Sequence, residues 1–180
     1  MTPEDIIQFW YSPQVKKRWF NSTHSFDREI KENYEYVWQM AVNDELLSWK
    51  ESAVGCLALA IVLDQFPLNM YRDEKKSFSS EAKAIEISLY AIANDIPDQL
   101  PKQQLSFLFM PLMHSEAIAD QQLSVQMFEK YQLVDNIRFA QHHHDLVKRF
   151  DRFPHRNKIL ERESTPEEIE YLNSANAFLG

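Results

Sequence analysis

Three short stretches of this chain combine imidazoles, guanidinium groups and carboxylates at close spacing. The densest is Gln141-His142-His143-His144-Asp145, continuing to Arg149-Phe150-Asp151-Arg152-Phe153-Pro154-His155-Arg156-Asn157. Imidazoles suit general acid–base work near neutral pH. Guanidinium forks match carboxylates and phosphates. His143 and His155 are therefore candidate acid–base groups, and Arg152 and Arg156 candidate anion ligands. The second stretch is Met110-Pro111-Leu112-Met113-His114-Ser115-Glu116, followed by Asp120. Glu116 and Asp120 are spaced i,i+4 and share a helix face. With His114 they could ligate a metal, or Ser115 and Asp120 could simply satisfy helix ends. His114 is the third acid–base candidate. The third stretch is Asp64-Gln65-Phe66-Pro67-Leu68-Asn69, then Arg72. Asp64 closes an apolar segment, where a carboxylate faces the negative end of the helix dipole. It needs a cationic partner such as Arg72, a cap, or a histidine or arginine to orient. Asp64, Asn69, Arg72 and Glu116 complete the candidate ligand-binding set.

Each stretch interrupts an otherwise apolar pattern, and buried charges need partners. The three are expected to converge on one cleft and line an anion pocket. The alternative is that the arginines pair with Asp64, Glu116 and Asp120 and tie helices together. No nucleophile stands out. Cys56 lies in the apolar segment as an expected inert core thiol, and Ser115 beside His114 is a weak candidate. His114 and His144-Asp145 mimic part of the ligand set of all-α phosphohydrolases of the HD type. At 100° per residue, however, His143 falls in the buried stripe with Phe139, Leu146 and Phe150, and His144 falls toward its edge. No metal ligand set and no cofactor are assigned.

The elements that must position these groups are helical. Only two glycines occur in 180 residues, Gly55 and Gly180, against an average usage of about 7%. That disfavours tight hairpins and so β-sandwiches and barrels. Neither GxGxxG nor the P-loop string is present, and one cysteine permits no internal disulfide. Thr2-Pro3 opens a helix to Trp10, and Pro13 ends that region. A helix is expected from about Phe26 to Val42 with Ser25 as cap. The stretch from Glu51 to Phe66 is apolar on nearly all sides, reads as a central buried helix, and is expected to stop at Pro67. Further helices follow Ser79-Ser80, carry Leu105 to Leu112 with Pro111 kinking them, carry Leu123 to Tyr131, and run from an Asp135 cap to Phe150. Thr165-Pro166-Glu167-Glu168 is a capping box before a last helix bearing Ile169, Leu172 and Leu179. One domain over residues 1–180 is expected, with about eight helices in an all-α fold.

The net charge is −8. An acidic surface repels nucleic acid and anionic membrane at long range. Residues 138–162 run the other way, with seven Lys/Arg against three acids, and hold four of the six histidines. The N-terminus is too acidic for a signal peptide, and the apolar run Val54–Leu63 is shorter than the roughly 20 residues a membrane span needs. A cytoplasmic location is expected.

These motifs, in this order, resemble a bacterial family of uncharacterised proteins, domain of unknown function 924. The match rests on Asp64-Gln65-Phe66-Pro67-x-Asn69, on Met110-Pro111 with His114-Ser115-Glu116 and Ala119-Asp120-Gln121, on Arg149 to Asn157, on Ser164 to Glu168, and on Trp19-Phe20. The resemblance covers nearly the whole chain. It implies a tetratricopeptide-like antiparallel helical array and no established activity. Of the three consecutive histidines, His143 matches the family pattern. The chain departs where the family has arginine at Leu68, glycine at Asp151 and often an acid at Met113. Three functions are compatible: a pocket for a small anionic ligand, a helical module that binds an acidic peptide or protein, and a metal-dependent phosphohydrolase.

Overall fold

The computed structural model describes residues 1–175, 177 and 178. Among these there is no β-strand, and the all-α expectation holds. The chain groups into two compact units, residues 1–112 and 113–180. The boundary falls near the C-terminal end of one helix.

The first unit opens with α1 (Pro3–Trp10), capped by Thr2 in a full capping box. Pro13 does not end this region. It occupies the first position of a short helix, α2 (Pro13–Lys16), with Ser12 as cap, a place where the missing N–H costs nothing. Next comes α3 (His24–Val42). Its cap is Thr23 rather than Ser25, and the Ser25 hydroxyl instead lies 3.0 Å from that of Thr23.

The apolar segment forms α4 (Ala53–Ala60), the unit's central helix, which packs on α1 and on α6 (Glu81–Ala93). Gly55 is required here: a Cβ would stand 1.9 Å from the Trp49 carbonyl oxygen. The helix does not stop at Pro67. A π-helical turn over Ile61–Gln65 leads into α5 (Phe66–Met70), which packs on α3. Pro67 has no N–H to give the Leu63 carbonyl four residues back. Ser80 supplies the missing donor, its hydroxyl lying 2.6 Å from Leu63 O. The same Ser80 oxygen accepts the Trp38 indole N–H at 2.9 Å. This explains why Ser80, at the start of α6, makes no side-chain cap there.

The helical run Ala53–Met70 thus reaches 18 residues, long and apolar enough to cross a bilayer, but 78% of it is buried inside the fold. It is a core element by packing. Its Phe66 packs on Trp10, which in turn meets Phe107, all three essentially inaccessible. Trp19 joins them, 4.6 Å from Phe107 between ring centroids, whereas Phe20 is exposed. Helix α7 (Leu105–His114) carries Pro111 internally. In the turn before that proline, Leu108 O accepts the Ser88 hydroxyl at 2.8 Å.

In the second unit, α8 (Ile118–Lys130) and α9 (Val134–Phe150) form a packed helical hairpin. Asp135 sits in the first turn of α9, but the N-cap is Leu133, without a side-chain bond. The buried stripe of α9 is Ala140, His143, Leu146 and Val147, while Phe139 is half exposed. An irregular segment follows, with one 3₁₀ turn at Pro154–Arg156. It ends at α10 (Pro166–Leu172), whose Thr165–Glu168 capping box forms as expected. Leu179, expected on that helix, lies outside the described residues.

Two substitutions check these features. Ser80→Ala leaves Leu63 O and Trp38 Nε1 unpaired together, and urea unfolding is expected to show a loss of about 2–4 kcal/mol. Asp151, the C-cap of α9, has a left-handed backbone at φ 56°. Asp151→Gly removes that steric cost and is expected to raise stability by about 1 kcal/mol in the same assay.

Candidate functional site

Glu116 is the anchor of the second unit's polar cluster. Its Oε1 accepts the Phe153 backbone N–H at 2.8 Å and Arg162 Nη2 at 2.9 Å, and its Oε2 accepts Arg162 Nη1 at 2.6 Å. Burial pushes this carboxyl up, but the Arg162 bonds and the Phe153 N–H outweigh it, and the net shift is downward. Arg162 also donates to Phe153 O at 3.2 Å and to Asn157 Oδ1 at 3.0 Å. Asn157 passes the chain of bonds on to Ser164 Oγ at 3.0 Å. The irregular segment after α9 therefore holds its shape through side chains where it has no helix ladder to use.

The C-terminal end of α7 is closed by two donors. A helix leaves its last carbonyls unpaired, and positive groups suit that end of the dipole. The Gln121 amide donates to Met113 O at 2.7 Å and to Ser115 O at 2.6 Å. Arg156 Nη2 reaches His114 O, lying between them in sequence, at 2.8 Å. Ser115 is buried. Its hydroxyl donates to Asp120 Oδ2 at 2.6 Å and accepts the Ala117 N–H at 3.1 Å. Ser115 and Asp120 thus satisfy a turn, the plainer of the two expectations for them.

The arginines do pair with carboxylates, but not with those expected. Arg152 forks onto Glu168, Nε to Oε1 at 2.6 Å and Nη2 to Oε2 at 2.7 Å. This bidentate pair, together with the Thr165 N–H, holds the buried Glu168 carboxyl down at about 2. Arg149 bonds Glu167 at 2.8 Å on the surface. In the first unit Arg72 forks onto Asp27 rather than onto Asp64, with Nε to Oδ2 at 2.8 Å. Asp27 also accepts the Ser22 hydroxyl at 2.6 Å. Asp64 is buried in the π-helical turn and accepts the Gln65 amide at 2.5 Å. Asn69 is buried as well and donates to Gln65 O at 3.0 Å. Cys56 is fully buried and burial raises its thiol pKa, in keeping with a core thiol.

The histidines are arranged differently. His143 is buried on α9, and its Nδ1–H donates to Phe139 O at 2.8 Å. That bond fixes the tautomer and leaves Nε2 with the lone pair. Burial lowers its pKa to about 3, opposed by the Phe139 bond and aided by His114, His142 and His155. His155 is lowered to about 4, first by burial, then by Arg156, with Glu116 opposing and His114 and Arg162 adding. His155 Nδ1 is buried without a hydrogen-bond partner among the described residues. His144 is closed on its chain neighbour, with Nδ1 3.1 Å from Asp145 Oδ1. Among the described residues no three His, Cys, Asp or Glu side chains gather as a metal site requires.

The first and second stretches therefore meet in one cluster within residues 113–180, joining His114 and Glu116 to His143, Phe153, His155 and Arg156. Gln121, Asn157 and Glu168 stood in the sequence motifs but not among the candidate site residues, and Arg162 was only one of the basic residues counted over 138–162, yet these four make its bonds. The Thr165–Glu168 capping box pointed to Glu168 and the charge excess over 138–162 to Arg162, but neither signal named a partner.

The protein is an all-α chain in which the polar motifs of the second unit knit one irregular segment to helix ends. The chain belongs to a family of bacterial proteins of unknown function, DUF924, whose model matches residues 6–176. Among solved structures it is similar to the protein of unknown function ATU0120 from Agrobacterium tumefaciens, at 33% identity and a TM-score of 0.88, over 95% of this chain and 96% of that one. A search of curated proteins finds no significant match.

Buried His143 and half-buried His155 set an acid-side stability limit. Folded, they protonate only near pH 3 and pH 4, whereas in the unfolded chain they protonate near pH ~6.5. The unfolded state thus binds more protons below about pH 6.5, and stability is full above that value and falls beneath it. By about pH 5 the pair is expected to contribute a slope of about 2.7 kcal/mol per pH unit. Glu168 adds its own loss only below about pH 4.5, as its depressed carboxyl is approached. Urea unfolding from pH 7.5 to 5 checks this, and His155→Gln is expected to halve the slope.

Proposed function

We propose that the second unit binds a small anionic ligand, a phosphate or carboxylate, at the cluster of His114, His143, His155 and Arg156. The observation that carries this reading is His155 Nδ1, a buried polar atom with no partner among the described residues. A buried unpaired group costs free energy that a ligand oxygen could recover. The surrounding field has the matching sign. Arg156, His114 and Arg162 all disfavour a proton on His155, and only Glu116 opposes them. An anion would offset that field, accept a hydrogen bond from the imidazole and favour its protonated form. The fixed Nδ1–H tautomer of His143 leaves Nε2 as a neighbouring acceptor for a protonated ligand oxygen. Asp64, Asn69 and Arg72 stay in the proposal only as supports of their own turn in the first unit, since Arg72 is taken by Asp27. Catalysis is not part of the proposal.

Titration with inorganic phosphate tests it, followed by calorimetry and by the His155 ring signals in NMR. Binding is expected to shift the His155 resonances, to tighten as pH is lowered from 8 to 6.5, and to weaken by about tenfold in His155→Gln, the equivalent of one lost hydrogen bond of about 1.4 kcal/mol. Acetate is the second probe. If neither anion moves the His155 signals or the melting temperature, the cluster has a structural role alone.

A further inference from the structure

One ring near the C-terminus lies against both buried His143 and half-buried His155. The Phe178 ring centroid is 4.7 Å from that of His143 and 5.0 Å from that of His155, edge-on to each. It also meets His142 at 5.9 Å. Phe153 also contacts both, 5.4 Å from His143 and 5.6 Å from His155. The two imidazoles are thus flanked by two phenyl rings that differ in how they are held. Phe153 is inaccessible to solvent, and both its backbone N–H and its carbonyl are bound by the Glu116–Arg162 pair. Phe178 is only partly buried, and its backbone N–H donates to the Tyr171 hydroxyl at 2.8 Å. Its ring carries no polar atom, so it leaves His155 Nδ1 unsatisfied.

We propose that Phe178 is a built-in occupant of an aryl slot, and that the ligand of this cluster is an anion bearing an aromatic ring. This rests on the anion-binding reading above. The ligand's ring takes the place of Phe178 against His143 and His155, and its anionic group meets His155 Nδ1 under the charge of Arg156. The slot is aromatic-lined, and edge-to-face packing favours an aromatic over an aliphatic occupant of similar size. The slot is filled in the ligand-free chain, so the competent state is a minor one. Apparent affinity is reduced by the fraction of molecules in which Phe178 has left. A small anion without a ring has no need to displace it.

The test compares inorganic phosphate with phenyl phosphate by calorimetry on the full chain, on Phe178→Ala and on Tyr171→Phe. Phenyl phosphate is expected to bind Phe178→Ala about tenfold more tightly than wild type, with inorganic phosphate changed less than about threefold. Tyr171→Phe keeps the ring but removes the acceptor of its N–H, so it gives a smaller gain of the same sign and serves if Phe178→Ala does not fold. An equal gain for both probes makes Phe178 a general barrier and overturns the aryl slot. Unchanged phenyl phosphate affinity in both variants, with phosphate still bound, also overturns it while leaving the anion site standing. Failure of both probes to bind any of the three proteins removes the anion site and this inference together.

Discussion

The second unit depends on what a single carboxylate does for a backbone that has no helix to rest in. Between α9 and α10 the chain runs through a segment with only one 3₁₀ turn, and its peptide groups still require partners. Glu116 accepts the Phe153 N–H and forks onto Arg162, while Arg162 turns back to cover Phe153 O and Asn157. Removing one member of such a partly buried pair strands the other, at a cost of about 3 kcal/mol. The larger consequence is positional. Phe153 lies beside the Pro154–Arg156 turn, so this bond set determines where His155 and Arg156 stand. Arg156 then closes the end of α7 through His114 O, two residues before Glu116 itself. The segment and the helix end hold each other.

That mutual hold separates the candidate residues by use. Arg152 and Arg72 have bidentate carboxylate partners, Glu168 and Asp27. Glu116 has both oxygens occupied. Charge alone is therefore a poor guide to what this fold could offer a ligand, because strong charges are the first to be spent on structure. Neutral imidazoles behave differently. They have one donor and one acceptor apiece, and geometry seldom satisfies both in a packed interior. His143 satisfies one through Phe139 O, and His155 has a buried Nδ1 without a partner among the described residues.

Local chemistry made much of the fold legible in advance. Thr2-Pro3 and Thr165-Pro166 announced two helix starts that form as read, because a cap needs only neighbouring residues. His143 was placed in the buried stripe of α9 by periodicity alone, and it lies there. Proline was the main source of error. Pro13 begins a helix and Pro67 lies inside one, since a distant hydroxyl, Ser80, supplies the donor that Pro67 lacks. No local rule contains that partner, 13 residues away along the chain and on another helix. The same limit applied to the site. Residue types in the three stretches were informative, and the meeting of Glu116 with the Arg149–Asn157 stretch followed from charge complementarity. Which arginine met which carboxylate did not follow, because Glu116 chose Arg162, and Arg152 chose the Glu168 of the capping box.

The energetic position of His155 links this structure to the proposed ligand. A half-buried imidazole beside Arg156 is held neutral, its pKa lowered to about 4, so at neutral pH it adds no charge to the cluster and spends no ion pair. The cost of that arrangement is an unsatisfied nitrogen, about 1–3 kcal/mol. A fold selected for stability alone would remove it with an apolar residue of similar shape, as buried polar groups often can be replaced at a gain. Retaining an imidazole there makes physical sense when something else completes its hydrogen bonding. A ligand that does so recovers the desolvation already incurred in folding, which is why a few polar contacts in a dry slot can be worth more than a large area of surface.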